Sequence, residues 1–238
     1  MQNNEYFEVL FESSKQVTPY LSGQLAADNG EGIHISRHNS ETIQQLYQQL
    51  SLSSAEAGRA YWLTRTWDLL CWQPIYIAFI SVYKLNVIPD IKNINQSIHS
   101  GFISGYRFHT SALIFGSNDE LIAVVGLQLT ALFESYRQAI SQWTRIRPGF
   151  TKHLIADGLL NCIIKMQAYA PTLSNAYLLG QAKLWLDAFE LPDKHLSGLQ
   201  VDATSNTLKL VRTSCCLVYK CTGRNLCADC PRLPDNKR

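Results

Sequence analysis

Five of the seven cysteines in this 238-residue chain fall between Cys215 and Cys230. Cys215 and Cys216 are adjacent, ten residues follow, and Cys227 and Cys230 then form a C-x-x-C. Such crowding calls for a chemical reason, because free cysteine is ordinarily a scattered, buried small hydrophobe. Cys71 and Cys162, each inside an apolar helical pattern, fit that ordinary description. Three chemistries suit the tail. Four thiolates hold a [2Fe–2S] cluster. Four thiolates also hold structural zinc, although zinc ribbons use two C-x-x-C knuckles and this chain has one there. Adjacent cysteines make a poor knuckle, because neighbouring side chains on an extended chain point to opposite sides. At an irregular turn they can serve one iron, or one iron each. The third chemistry is thiol–disulfide redox. It is disfavoured in a chain whose first twenty residues hold Glu5, Glu8, Glu12 and Lys15 and no long apolar run, since no export leader is then expected.

The spacing C-C-x10-C-x2-C followed by Pro231 resembles the signature of the FhuF-type ferric-siderophore reductases. Arg212, Ser214, Cys215, Cys216 and Tyr219 match that family's R-x-S-C-C-x-x-Y. Two upstream segments, Trp67 to Pro74 (W-D-L-L-C-W-Q-P) and Arg147 to Asp157 (R-P-G-F-T-K-H-L-I-A-D), resemble the family less specifically. The resemblance implies that Cys215, Cys216, Cys227 and Cys230 ligate a [2Fe–2S] cluster. It further implies a cytoplasmic protein that reduces ferric siderophores, with hydroxamate chelates as the substrate class. Cys221 lies inside the ten-residue spacer, where it is expected to be a spare thiol.

Charge is uneven along the chain. From Thr207 onward there are seven basic residues and two acidic ones, a net +5, so the remainder carries −3 of the chain's overall +2. Basic neighbours offset the negative charge of a four-thiolate cluster and raise its potential. Arg212, Lys220 and Arg224 are therefore the candidates for tuning and for docking a chelate. Arg147 and Lys152, beside Pro148 and Gly149, are further candidates for a substrate groove, against the plainer reading of charges at a helix end.

Other chemistries find little support. His34, His38, His99, His109, His153 and His195 form no H-E-x-x-H or H-x-x-E-H, and no pair near the cysteines in sequence. Neither a G-x-G-x-x-G nor a G-x-x-x-x-G-K-[ST] is present, so no nucleotide or flavin site of those types is expected. Electrons would then arrive singly from a ferredoxin or a flavoprotein reductase. No basic helix-turn-helix points to nucleic acid. The most apolar run, Leu69 to Leu85, is broken by Gln73, Pro74 and Lys84, and is read as core helix rather than a membrane span. Two other classes remain open at this level: a zinc-stabilised binding or scaffold protein, and an iron–sulfur redox sensor.

The elements that must position the tail read as an α+β fold. It is predominantly helical, with a small antiparallel β-sheet and a cysteine-rich carboxyl segment. Hydrophobic content of 46% and charge of 17% are those of a folded domain. Apolar spacing predicts helices from Asn4 to Lys15 and from Ser40 to Leu50. Ser53-Ser54-Ala55-Glu56 reads as a capping box opening a third helix to about Cys71, and Pro74 as the first turn of a fourth ending near Lys84. Trp62, Trp67 and Trp72 read as core. Strands are expected within Gly101 to Gly116, and Leu121 to Val125 suits either strand or helix. Helices follow over Leu127 to Trp143, Thr151 to Ala168 and Leu173 to Phe189. A hairpin pairs Leu199 to Ala203 with Thr207 to Arg212. The expected organisation is a mainly helical lobe over 1–100 and an α+β lobe over 101–238 ending in the cluster-binding tail 207–238, or one compact domain.

Overall fold

The computed structural model of the chain describes residues 3–237. It is α+β and predominantly helical, with three small sheets. Two compact units interleave along the sequence. One runs up to Gln49 and resumes over Leu69–Ile146; the other takes Leu50–Asp68 and everything from Arg147. The expected boundary at residue 100 falls inside the first unit.

In the first unit, helix α1 (Asn3–Val17) buries Phe7 and Leu10. Phe7 packs edge-on against Phe108 with ring centroids 5.6 Å apart. Strand β1 (Gly23–Leu25) runs parallel to β4 (Phe102–Phe108), whose other edge carries β3 (Asn95–His99) antiparallel. β1 with β4 is the one parallel pair among the described strands; the other pairs are antiparallel, as expected. Gly23 explains why a glycine sits in a strand: a Cβ there would stand 2.3 Å from the Phe11 ring and 2.5 Å from the Tyr106 ring. Strands β2 (Val87–Pro89) and β5 (Leu113–Phe115) form a second, antiparallel pair. Three-residue strands are too short for alternation to reveal them.

Helix α2 spans Ser40–Ser53 and α3 spans Gly58–Ile80. Ser53 ends α2, its hydroxyl donating to the Leu50 carbonyl, and only a short 3-10 turn follows over Ala55–Ala57, without a side-chain cap. The expected capping box is therefore not formed there. The box that does form is Ser117 with Glu120, opening α4 (Asn118–Ser141), and it makes Leu121 to Val125 helical.

Pro74 lies inside α3 rather than at the start of a new helix. Proline cannot donate to the carbonyl four residues back. That carbonyl, on Leu70, instead accepts from Gln96 Nε2 at 2.9 Å, and the same amide group reaches the buried Tyr136 hydroxyl at 2.8 Å. The orphaned acceptor is thus satisfied from β3, so the helix runs on.

In the second unit, α5 (Pro148–Tyr169) buries Leu159 and Ile163, and α6 (Asn175–Ala188) buries Trp185 and Leu186. Pro148 occupies the first turn of α5, where its missing N–H costs nothing. Arg147 and Lys152 therefore sit at a helix start, the end where the dipole disfavours cations, and not at a helix end. The hairpin forms with shorter strands, β6 (Leu199–Val201) and β7 (Leu208–Leu210). Its turn is held by Asp202, whose carboxylate accepts from the backbone N–H groups of Thr204 and Ser205.

Candidate metal centre

The cysteine segment leaves β7 at the buried Val211, whose N–H donates to the Gly198 carbonyl at 2.8 Å. Arg212 N–H then donates to the Asp229 carbonyl at 3.0 Å, and its side chain pairs with the Asp229 carboxylate at 2.9 Å. Beneath the next two residues lies Asp157 of α5, which is buried. Its two carboxylate oxygens accept from Thr213 N–H at 2.7 Å and Ser214 N–H at 2.8 Å. Burial pushes the Asp157 carboxyl up to about 6, although both backbone N–H groups and Arg212 oppose the shift. Two ends of the segment are thereby clamped just before Cys215.

Past the cysteine pair, Leu217 adopts the left-handed region at φ 61° and reverses the chain. Its N–H points back to Cys215 Sγ at 3.4 Å. A 3-10 turn over Val218–Lys220 follows, and Thr222 N–H donates to the Glu56 carboxylate at 2.9 Å. The C-x-x-C is a tight turn in which Cys230 N–H donates to the Cys227 carbonyl at 3.0 Å. Asn236 locks that turn by donating to the carbonyls of Ala228 and Cys230.

These turns sort four thiols into two pairs. Cys215 Sγ stands 3.5 Å from Cys230 Sγ, and Cys216 Sγ stands 3.6 Å from Cys227 Sγ. Each adjacent cysteine thus meets a different member of the C-x-x-C, as opposite-pointing neighbours must. Two sulfurs bound to one tetrahedral ion at about 2.3 Å lie about 3.8 Å apart. Both pairs are close to that separation, and neither is a disulfide, since all seven cysteines are free. No group of three or more His, Cys, Asp or Glu side chains among the described residues is drawn together as a site for a single ion. What the geometry brings together is two separate pairs of thiols.

Electrostatics around the thiols are cationic on one side. Arg212 Nη2 donates to Cys216 Sγ at 3.4 Å and to Asp229 Oδ1 at 3.1 Å. Burial works against the Arg212 charge, yet Asp229 and Cys216 hold its guanidinium more firmly protonated than usual. Burial also raises the Cys227 thiol, to about 11, with the bond to Cys216 adding to it, and raises the Cys215 thiol against the opposing Leu217 N–H. As thiols Cys215 and Cys227 hold their protons more firmly than usual; a bound metal would displace them.

Cys221 belongs to neither pair. It meets the hydroxyl of Tyr61, whose own titration is pushed up to about 12 by burial and by that thiol. Of the five cations expected to bind substrate, Arg212 donates from its side chain to a cysteine sulfur, while Arg224 meets Cys221 through its backbone N–H. Lys220 and Arg224 are exposed on the spacer, and Arg147 and Lys152 are exposed at the start of α5. Sequence reasoning missed Asp157, although a carboxylate in L-I-A-D-G-L-L is a visible anomaly on an otherwise apolar helix. It also passed over a histidine pair. His153 and His195 have ring centroids 5.3 Å apart, and His195 Nδ1 lies 3.3 Å from Thr213 Oγ1, two residues before Cys215.

No family model matches the chain, and no solved structure matches it. Its chemistry is accordingly read from its own residues.

Proposed function

We propose that this chain is a ferric-siderophore reductase carrying a [2Fe–2S] cluster on Cys215, Cys216, Cys227 and Cys230. The observation that carries the reading is the sorting of these four thiols into two pairs at 3.5 and 3.6 Å. Bound there, the cluster would supply one electron at a time. The substrate is iron(III) held by hard siderophore oxygens. One added electron gives iron(II), which those oxygens bind more weakly, so reduction becomes release. No nucleophile or general base is required of the protein.

The chain's own residues have three tasks. Asp157 and Asn236 hold the two halves of the thiol set in place through backbone groups. Leu217 N–H and the Arg212 guanidinium donate to sulfur, which favours the electron-rich state and raises the potential. Cys230 is buried while Cys215, Cys216 and Cys227 are half-exposed, which leaves the pairs near the surface where a chelate can approach. The electron source in this reading is a ferredoxin or a flavoprotein reductase, and the setting is the cytoplasm. No helix among the described residues is long and apolar enough to cross a membrane.

The test is to mix chemically reduced protein with a ferric siderophore and a ferrous-specific chromophore under argon. The proposal expects ferrous iron in proportion to the electrons loaded. Reduced protein that keeps its electrons in the presence of every chelate class sinks it.

A further inference from the structure

Beside the cysteine segment, within the second unit, lies an open cleft of about 410 Å³, a volume in the range of small-molecule sites. Its walls include His153 from α5, Lys194 and His195 from the 3-10 turn Asp193–Gly198, and Arg212 and Thr213 from the strand that leads into the cysteines. No carboxylate is among the residues that line it. Asp193, next to Lys194 in sequence, is engaged by Lys183 at 3.1 Å. Asp229 balances part of the Arg212 charge. The cleft's lining residues also lead to both thiol pairs. Arg212 lines it and donates to Cys216, and Pro231 lines it directly after Cys230.

We infer that this cleft docks the iron chelate and selects chelates of net negative charge. The inference rests on the reductase reading and narrows its substrate. Iron(III) with three hydroxamates is neutral, whereas three catecholates leave a charge of −3 and hydroxycarboxylate donors also leave the complex anionic. A cationic wall with imidazole and hydroxyl donors and no facing carboxylate distinguishes these chelates by charge. The hydroxamate class implied by the resemblance is then the poorer fit. Lys194 is the selecting cation, because Arg212 is already committed to Asp229 and Cys216.

Gallium(III) complexes provide a redox-silent probe. Calorimetry on the intact, cofactor-loaded chain would compare gallium tris-catecholate and gallium citrate with a neutral gallium trihydroxamate. The anionic complexes should bind at least tenfold more tightly at low salt, with the gap narrowing as salt rises. Lys194→Glu should abolish that preference, Lys194→Gln should reduce it, and Lys15→Glu, exposed on α1 and outside the cleft, should largely retain it. Lys194 is exposed, so its variants should fold normally, and circular dichroism checks this. Neutral complexes bound as tightly as anionic ones, or a Lys194→Glu protein with unchanged preference, would overturn the inference. Gallium binding needs no electron transfer. Tight anionic binding without ferrous production therefore counts against the reductase reading alone, and ferrous production without charge preference counts against the cleft alone.

Discussion

The first unit and the cysteine segment are held together by different forces. In the first unit, Phe7, Ile43, Leu129, Phe133 and Tyr136 are each 2% exposed or less, and apolar burial is its main support. Between Arg212 and Lys237 the one fully buried apolar side chain is Cys230. That segment is ordered by backbone turns, by the Asp157 carboxylate, and by the ion pair of Arg212 with Asp229. Individual hydrogen bonds contribute only about 0.5–1.5 kcal/mol net, and fixing each backbone residue costs about 1–2 kcal/mol. A stretch this long and this poor in buried apolar surface needs another source of stability. Under the proposed reading, metal on the paired thiols would supply one, because its binding energy is then folding energy.

That contrast can be broken first at the sulfurs. Cys216→Ser should eliminate bound iron and ferric-chelate reduction, read by metal and sulfide analysis. In this variant trypsin should gain access at Lys220, Arg224 and Arg232, while the first unit stays resistant. A variant that keeps its iron would remove Cys216 from the ligand set. Next in size is a core deletion: Phe133→Ala should cost about 3–5 kcal/mol in denaturant unfolding and leave the visible spectrum of the folded fraction unaltered. Asp157→Ala should cost about 1–3 kcal/mol, because the N–H groups of Thr213 and Ser214 lose their acceptor. Unlike the core variant, it should also lower iron occupancy; full occupancy would show that the clamp is dispensable.

A smaller, pH-dependent difference concerns His34. Burial, followed by the charges of His109 and Arg37, lowers its pKa below the usual 6.5. The unfolded chain then binds the proton more readily than the folded one. Its contribution to stability is present above about 6.5 and is lost as pH falls through the depressed folded value. Melting curves at successive pH values should show this loss, and His34→Gln should flatten it. The smallest effect is expected from Cys221→Ser: the serine hydroxyl can still meet Tyr61, and the visible spectrum should not change. A bleached protein would place Cys221 among the ligands.

Much of the helical frame was legible because its signals are local. The apolar faces of α1 and α2, the length of α5 and the hairpin all follow from short-range pattern. What escaped depends on partners distant in sequence. Pro74 is tolerated because Gln96, more than twenty residues later, bonds the Leu70 carbonyl. β1 exists because β4 lies beside it. The S-x-x-E pattern occurs at both Ser53 and Ser117, and only the second forms a box; the first is preempted because Ser53 still belongs to α2. In the tail, the crowding of cysteines was legible but not which sulfurs meet, which depends on the reversal at Leu217. Nor did it name Asp157, Lys194 or the two histidines, which reach the segment from α5 and the turn after α6.

The most direct test is the absorption spectrum and metal content of anaerobically purified protein. Two irons and two acid-labile sulfides per chain are predicted, in a red-brown protein bleached by dithionite. A colourless chain containing zinc, or no metal, would contradict the proposed centre.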